Sequence, residues 1–205
     1  LEMRSQSFPR VTFLRLVVSL TFCVAIAGCG APLMQVALAR ASGPASVAVA
    51  KPVKDSPQIT MTLVSRGIKF PLQQLDTQDD VRLWASGDGA QVALRDGMLI
   101  STRGFGMDLM SADVPSVAGL MGDHGRIMHY LDGTDTPIRR SYQCSTSVVA
   151  ADDKMPNTTH LREVCISDAG KITNDYWISA GNRLVKSRQW ISQGVGYAIF
   201  NTVDR

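Results

Sequence analysis

A succession of short β-forming runs, separated by turn residues, limits this chain to few folds. From residue 58 onward, valine, isoleucine, threonine and aromatic residues gather in these runs, and glycine, aspartate or asparagine often stands between them. Short strands with repeated turn signals are typical of an all-β sandwich or barrel. The ranges predicted as strands are 58–65, 81–86, 91–95, 98–103, 126–131, 139–150, 160–167, 171–179, 184–192 and 195–203.

The strongest turn signal is Asp96-Gly97, which lies between two of these runs. A type I′ hairpin turn needs positive φ at both central positions, and aspartate followed by glycine meets that need. The last five runs are predicted to form a meander of antiparallel strands, and short helices are expected over 73–80 and 116–121. The predicted fold class is all-β: an antiparallel meander forming a sandwich or partly closed barrel, with one or two short helices.

The amino-terminal segment has the pattern of a secretory signal. Arg4, Arg10 and Arg15 precede an uncharged run at 16–28, which is shorter than the roughly 20 apolar residues that a transmembrane helix needs. A basic start, a short apolar middle and small residues at the end are typical of a signal peptide. We therefore expect a signal peptide over 1–28, and Cys23 would be removed with it.

The end of that segment, Ile26-Ala27-Gly28-Cys29, matches the bacterial lipobox. In proteins with this pattern the chain is cut before the cysteine, whose thiol and new amino group are both acylated. Two or more acyl chains hold a protein stably at a membrane, so we expect an anchor through Cys29. Gly30 stands where an inner-membrane retention signal carries aspartate, which favours the outer membrane, facing the periplasm. The alternative is a plain secretory signal with a chance cysteine.

A tether and a single domain are predicted after the anchor. Residues 29–55 are rich in alanine, valine and serine and contain Pro32, Pro44 and Pro52. Such a segment buries little surface and is typical of a flexible linker. Residues 56–205 have the usual size of one domain with its own core. We therefore predict one periplasmic β-domain over 56–205.

The charge of the mature chain argues against nucleic acid as a partner. The full chain has 21 basic and 18 acidic residues, and removing 1–28 takes away three arginines and Glu2, leaving 18 and 17. The basic pI of about 8.8 is therefore largely a property of the signal peptide. A nucleic-acid-binding domain usually carries a basic patch or stripe. We expect no binding to nucleic acid.

Two cysteines of the predicted domain, Cys144 and Cys165, lie in neighbouring predicted strands. If these strands pair symmetrically about a loop near residue 155, the numbers of any two residues that face each other add up to 309. This register places Cys144 opposite Cys165 and Val148 opposite Leu161. Directly opposed antiparallel residues come within reach of a disulfide, and the periplasm is oxidising. We predict the bond, with two free buried thiols as the alternative, and we expect no metal site because metal-ligand spacing is absent.

The sequence lacks the motifs of the common enzyme classes. It has no G-x-S-x-G elbow, no H-E-x-x-H helix, no Walker loop and no dinucleotide fingerprint. A glycosidase needs two carboxylates, but the turn explains Asp96, and Asp113 precedes a predicted helix, where a side-chain cap is ordinary. The histidines are His124, His129 and His160, and each fits a surface or strand position. We expect no enzymatic activity and no cofactor, with a glycan-active enzyme as the alternative.

One segment is not explained by strand propensity alone. After the Asp96-Gly97 hairpin the chain runs through Arg103-Gly104-Phe105-Gly106 to Asp108. Glycines within a strand pattern indicate a bulge or a close approach of backbones. Arg103 and Asp108 are placed to pair across such a corner. The segment is therefore a structural corner or an interaction motif.

Several features of the chain resemble the YjbF/GfcB family: the lipobox, the turn after Trp84, the segment LRDGMLISTRGFGMDL at 94–109, and the last strands with Gly196-Tyr197. Members are outer-membrane lipoproteins encoded in capsule and exopolysaccharide operons, beside a porin-like β-barrel protein. The resemblance implies a role in producing or exporting a surface polysaccharide, with that barrel protein as partner. It supplies no active site, so Arg103 and Asp108 are motif members rather than catalysts.

Two classes of function follow from these observations. The first is a non-enzymatic export accessory that docks on an outer-membrane barrel, and the second is a module that binds or modifies the polysaccharide itself. Trp177 and Trp190 bear on this choice because each shares a predicted strand face with polar residues. A tryptophan on such a face stacks on a sugar or anchors a partner, or else is partly buried by neighbouring groups.

Overall fold

Antiparallel strands account for nearly all of the regular structure in the computed structural model, which describes residues 58–149 and 154–202. The predicted signal peptide 1–28, Cys29 and the tether 29–55 lie outside the described residues, so these boundaries stay predictions. The strands are β1 (Gln58–Leu63), β2 (Ile68–Gln78), β3 (Val81–Ala85), β4 (Gln91–Arg95), β5 (Met98–Arg103), β6 (Ser111–Asp113), β7 (Gly122–Leu131), β8 (Pro137–Val148), β9 (Thr158–Ser167), β10 (Gly170–Ser179), β11 (Leu184–Ser192) and β12 (Gly196–Thr202).

These strands form one sheet in the order β5-β4-β3-β2-β1-β12-β11-β10-β9-β8-β7-β6. Neighbours in the sheet are also neighbours in the chain, except that the first and last strands pair with each other. The sheet curls until its edges meet, where the Thr102 N–H of β5 donates to the Leu109 carbonyl just before β6 at 2.8 Å. The result is a nearly closed antiparallel barrel, which confirms the predicted all-β class and the meander.

The interior of the sheet holds the hydrophobic core. Because successive side chains of a strand point to opposite faces, alternate residues are buried along β1 and along much of β7 and β8. Met61, Leu72, Leu99, Met128 and Ile191 come from five different strands and are almost completely buried. Burying such side chains is the main favourable contribution to folding.

The predicted hairpin between β4 and β5 is confirmed in detail. Asp96 has φ of 50° and Gly97 has φ of 86°, as a type I′ turn requires. A Cβ atom placed on Gly97 would lie 2.9 Å from the Leu184 side chain. Glycine is therefore needed at 97 for its conformation and for the close approach of this turn to β11.

Both predicted short helices are wrong, and the described residues contain no helix. Residues 73–78 belong to β2, where pairing with β1 and β3 outweighs the helix propensity of glutamine and leucine. Residues 116–121 form consecutive tight turns, in which the Gly119 and Leu120 N–H groups bond the Ser116 and Val117 carbonyls. Such short segments fold as tertiary contacts dictate rather than as propensity suggests.

The predicted register of β8 and β9 is confirmed. Cys144 faces Cys165 and Val148 faces Leu161. The structure joins the two cysteines by a disulfide, with their Cα atoms 4.0 Å apart. Within residues 58–149 and 154–202, no helix has the length and apolarity needed to cross a membrane.

Candidate functional site

The corner between β5 and β6 is organised by the side chain of Asp108. Its carboxylate accepts hydrogen bonds from the Thr102 hydroxyl at 2.9 Å, the Gly104 N–H at 2.9 Å and the Phe105 N–H at 3.1 Å. Thr102 Oγ1 in turn accepts from the Leu109 N–H at 2.9 Å. The carboxylate thus satisfies backbone groups that the turn leaves outside the strand ladder.

The glycines of this corner have a steric role. Gly104 has φ of 90°, and a Cβ atom there would lie 3.3 Å from the Ala90 Cα. The predicted close approach of backbones is therefore present at Gly104, and Gly106 also has positive φ. Arg103 is exposed, and the described residues contain no ion pair between it and Asp108. The expectation that these two side chains pair is wrong, because Asp108 bonds the loop backbone instead.

Trp177 lies on the outer face of β10, beneath neighbouring side chains. The His160 ring stacks on it with ring centroids 4.3 Å apart, and Lys186 Nζ lies 4.3 Å from its ring centroid. The side chain is therefore only 8% exposed. Its contacts with protein groups make it a poor platform for stacking a sugar.

A second set of side chains continues this outer face. Asp175, only 6% exposed, accepts from Arg162 Nε at 2.8 Å and lies 3.0 Å from His160 Nε2. Trp190 is half-buried and meets Tyr197 edge-on, with ring centroids 5.0 Å apart. Trp190 is thus the more accessible of the two tryptophans that the sequence singled out.

Inside the sheet lies a polar cluster centred on Glu163, which is completely buried. One carboxylate oxygen is 2.7 Å from His124 Nε2 and accepts from Arg126, while the other accepts from Arg126, from Asn174 at 2.6 Å and from the Tyr176 hydroxyl at 3.0 Å. Every carboxylate oxygen therefore has several partners, as a buried charge requires.

This environment sets the protonation of the cluster. Burial opposes ionisation of Glu163, but the hydrogen bond with His124 and the charge of Arg126 outweigh it and lower its pKa to about 2. Burial raises the pKa of Tyr176 well above its usual value, so its hydroxyl keeps its proton and donates to Glu163. The cluster is thus a buried ion pair of Arg126 and Glu163 whose carboxylate also accepts from Asn174 and Tyr176.

The fold also brings together atoms that could ligate a metal. His124, Cys144 and Glu163 offer one ligand atom each, and these atoms lie within 4.8 Å of one another. The Cys144 sulfur, however, is part of the disulfide, and only a thiolate is a strong zinc ligand. The group therefore does not fit a metal while the disulfide is intact.

The Glu163 cluster was not predicted from the sequence, although a signal for it was present. Glu163 stands two residues before Cys165, and alternate residues of a strand share a face. The register that places Cys165 against Cys144 therefore also fixes the face of Glu163. What the sequence did not reveal was Arg126 as partner, because that residue lies two strands away.

The barrel-like fold of this domain is also found in a solved structure. The crystal structure of the hypothetical lipoprotein YmcC from Escherichia coli (K12) is similar, with a TM-score of 0.64. The likeness covers 74% of this chain and 85% of that one at 15% identity, so it shows the fold alone. No curated protein matches the chain.

The sequence itself places the chain in a particular family. The family model described as "Group 4 capsule polysaccharide lipoprotein gfcB, YjbF" matches residues 43–202. The chain therefore belongs to the YjbF family, as its resemblance predicted. The match takes in the whole described β-domain, including the corner organised by Asp108.

Proposed function

We propose that this protein is an outer-membrane lipoprotein that assists, without enzymatic activity, the export or assembly of a capsular or extracellular polysaccharide. The observation that carries the proposal is the family match over 43–202, because the family description names both a lipoprotein and a capsule polysaccharide. The lipobox at Cys29 supports the same location, with the lipid bilayer as the first partner.

Three carboxylates of the described domain support a non-enzymatic role. Asp108 holds the backbone of a corner, Asp175 is engaged by Arg162, and Glu163 is buried among protein donors. A general acid or base must reach the reacting atoms of its substrate. These three side chains instead contact the groups that maintain the fold.

The second partner in this proposal is an outer-membrane β-barrel protein encoded in the same operon. The support for it is the family resemblance, in which such a protein accompanies the lipoprotein. Anchoring both proteins in one membrane raises their effective concentration and strengthens a weak contact. The β-domain needs only a modest interface under these conditions.

Deleting the gene tests this proposal. Extracellular polysaccharide should fall while the lipid-linked intermediates at the inner membrane keep their normal amount, because export rather than synthesis is affected. Complementation with the normal gene should restore export, and Cys29→Ser should restore it only in part. Unchanged extracellular polysaccharide in the deletion strain would overturn the proposal.

A test with purified protein separates the accessory from an enzyme. The normal chain, incubated with the extracellular polysaccharide of its own cells, should neither shorten the polymer nor change its substitution. Shortening of the polymer by this protein, lost on Asp108→Asn or Asp175→Asn in a folded variant, would establish a polysaccharide-modifying module instead.

A further inference from the structure

A cavity of about 630 Å³ lies at the end of the sheet where β1 begins and β12 ends. Its walls come from β1, β3, β4, β11, β12 and the turns at 116–118. This volume falls within the roughly 300–1,000 Å³ that is usual for sites of small ligands. The cavity is separate from the Glu163 cluster, whose members are not among its lining residues.

The charges that line this cavity are mostly positive. Arg82 and Arg183 contribute two cationic side chains, against one carboxylate from Asp96. Lys186 also lines the cavity, but its Nζ lies over the Trp177 ring on the outer face of the sheet. A concave site that is lined mainly by charges of one sign attracts ligands of the opposite charge.

One residue of the cavity wall has a hydrogen-bond donor without an acceptor. Trp84 lines the wall, is only 4% exposed, and its buried indole N–H has no hydrogen-bond partner. A buried donor left unpaired costs free energy, and such groups in a native protein call for an explanation. An oxygen atom of a bound ligand would satisfy this N–H.

The remaining wall combines apolar and polar surfaces. Trp84 and Phe200 line the cavity together with the polar residues Asn182 and Thr202. A sugar ring has an apolar face and an edge of hydroxyl groups, and it matches a wall that offers both. Arg82 adds a guanidinium, the group that recognises a carboxylate with two parallel hydrogen bonds.

We propose that this cavity binds a short segment of an acidic polysaccharide, with a sugar carboxylate facing Arg82 and a sugar oxygen accepting the Trp84 N–H. The inference rests on the proposed role in polysaccharide export and names the class of polymer that the domain contacts. The accessory protein would then contact the exported polysaccharide directly.

Titration calorimetry of the full chain in detergent tests this site, with trigalacturonate as the acidic probe and galactotriose as the neutral probe. Trigalacturonate should bind, and galactotriose should bind at least about tenfold more weakly, because a charged hydrogen bond is lost. Arg82→Ala should weaken trigalacturonate binding by a similar factor. Arg66→Ala, which removes an exposed arginine outside the cavity, should leave it unchanged.

Trp84→Phe keeps an aromatic wall and removes only the indole N–H. It should weaken binding of trigalacturonate by several-fold while the unfolding midpoint of the ligand-free protein shows that the fold persists. Equal binding of both probes, equal loss with Arg82→Ala and Arg66→Ala, or full displacement by the same concentration of inorganic phosphate would overturn the inference.

The experiments distinguish a failure of the cavity assignment from a failure of the proposed export role. If neither probe nor the cell's own acidic polymer binds while deletion still lowers extracellular polysaccharide, the cavity assignment fails and the export role stands. If the acidic probe binds at Arg82 but deletion leaves export unchanged, the export role fails and the site stands.

Discussion

The Arg126 guanidinium donates from Nη2 to both carboxylate oxygens of Glu163, at 3.1 Å each. The two residues belong to β7 and β9, which are separated in the sheet by β8. Their ion pair therefore crosses the interior of the curved sheet above the strand that carries Cys144. A buried pair of this kind is costly to break, because removing one partner leaves the other charge buried and uncompensated.

Glu163→Gln should lower the free energy of unfolding by about 3–5 kcal/mol, since Arg126 would stay buried without its counter-charge. Urea unfolding followed by tryptophan fluorescence measures the change. Asp123→Asn, an exposed carboxylate on β7, is the matched control and should change stability by less than about 0.5 kcal/mol. Equal stability of the two variants would refute the role of the buried pair.

Stability should also fall in acid because of Glu163. Its pKa is lowered from 4.5 to about 2 in the folded protein, so the ionised form favours folding above about pH 4.5. This stabilisation is lost as the pH falls from about 4.5 to about 2, and it amounts to about 3 kcal/mol. Urea unfolding across this pH range should show the decline, and Glu163→Gln should flatten it. A variant with the same pH dependence as the normal protein would contradict this assignment.

Protein taken from the periplasmic side of the cell should carry the Cys144–Cys165 bond. Proteolysis and mass spectrometry without reductant should recover the two cysteine peptides joined, whereas two alkylatable thiols would refute the prediction. The cysteines are 21 residues apart, and replacing both with serine should cost about 3 kcal/mol in the chain-entropy account. Chemical denaturation with and without reductant measures that cost.

Asp108→Ala should destabilise the domain by about 2 kcal/mol, since the Gly104 and Phe105 N–H groups lose their charged acceptor. Arg103→Ala, at an exposed position in the same motif, should change stability by less than about 0.5 kcal/mol. Thermal unfolding of both variants makes the comparison. Loss of export in Arg103→Ala at normal stability and abundance would show that the motif contacts a partner directly.

Cys29→Ser should prevent lipid attachment, because the serine hydroxyl does not replace the thiol that becomes acylated. The variant should be found uncleaved or in the soluble fraction, while the normal protein is found in outer-membrane fractions. Immunoblots of separated inner and outer membranes follow both forms. Normal processing and normal membrane retention of Cys29→Ser would rule out the lipoprotein assignment.

Periodicity and turn chemistry predicted most strands, but the three-residue β6 and the much longer β2 were missed. The sequence of β2 contains Pro71 and lacks clear alternation, and both features argue against a strand. The structure accommodates Pro71 because residues 68–72 pair with β1 alone, so this half of β2 is a local edge where a missing N–H is tolerated. Such an edge depends on how far the next strand reaches, which the local sequence does not encode.

The contacts of the candidate site residues were likewise predicted from the sequence in some cases and missed in others. The pairing of Cys144 with Cys165 follows from their positions on either side of a loop centred near residue 155, and it was predicted correctly. The backbone partners of Asp108 were not predicted. Almost every residue has a backbone N–H group, and the sequence does not indicate which of these groups are left without a partner in the strand ladder. Trp177 was predicted to share a strand face with polar residues, but the side chains that cover it come from two other strands.

The pairing of β1 with both β2 and β12 determines how this domain would respond to mechanical load. A pull on the chain ahead of Gln58 runs along a strand that is bonded on both sides, through residues 68–73 and 198–202. Those hydrogen bonds would be sheared together instead of peeled apart one after another, as happens at a free edge. A domain that is held from this side, as the proposed anchor at Cys29 would hold it, resists a pulling force while its fold stays intact.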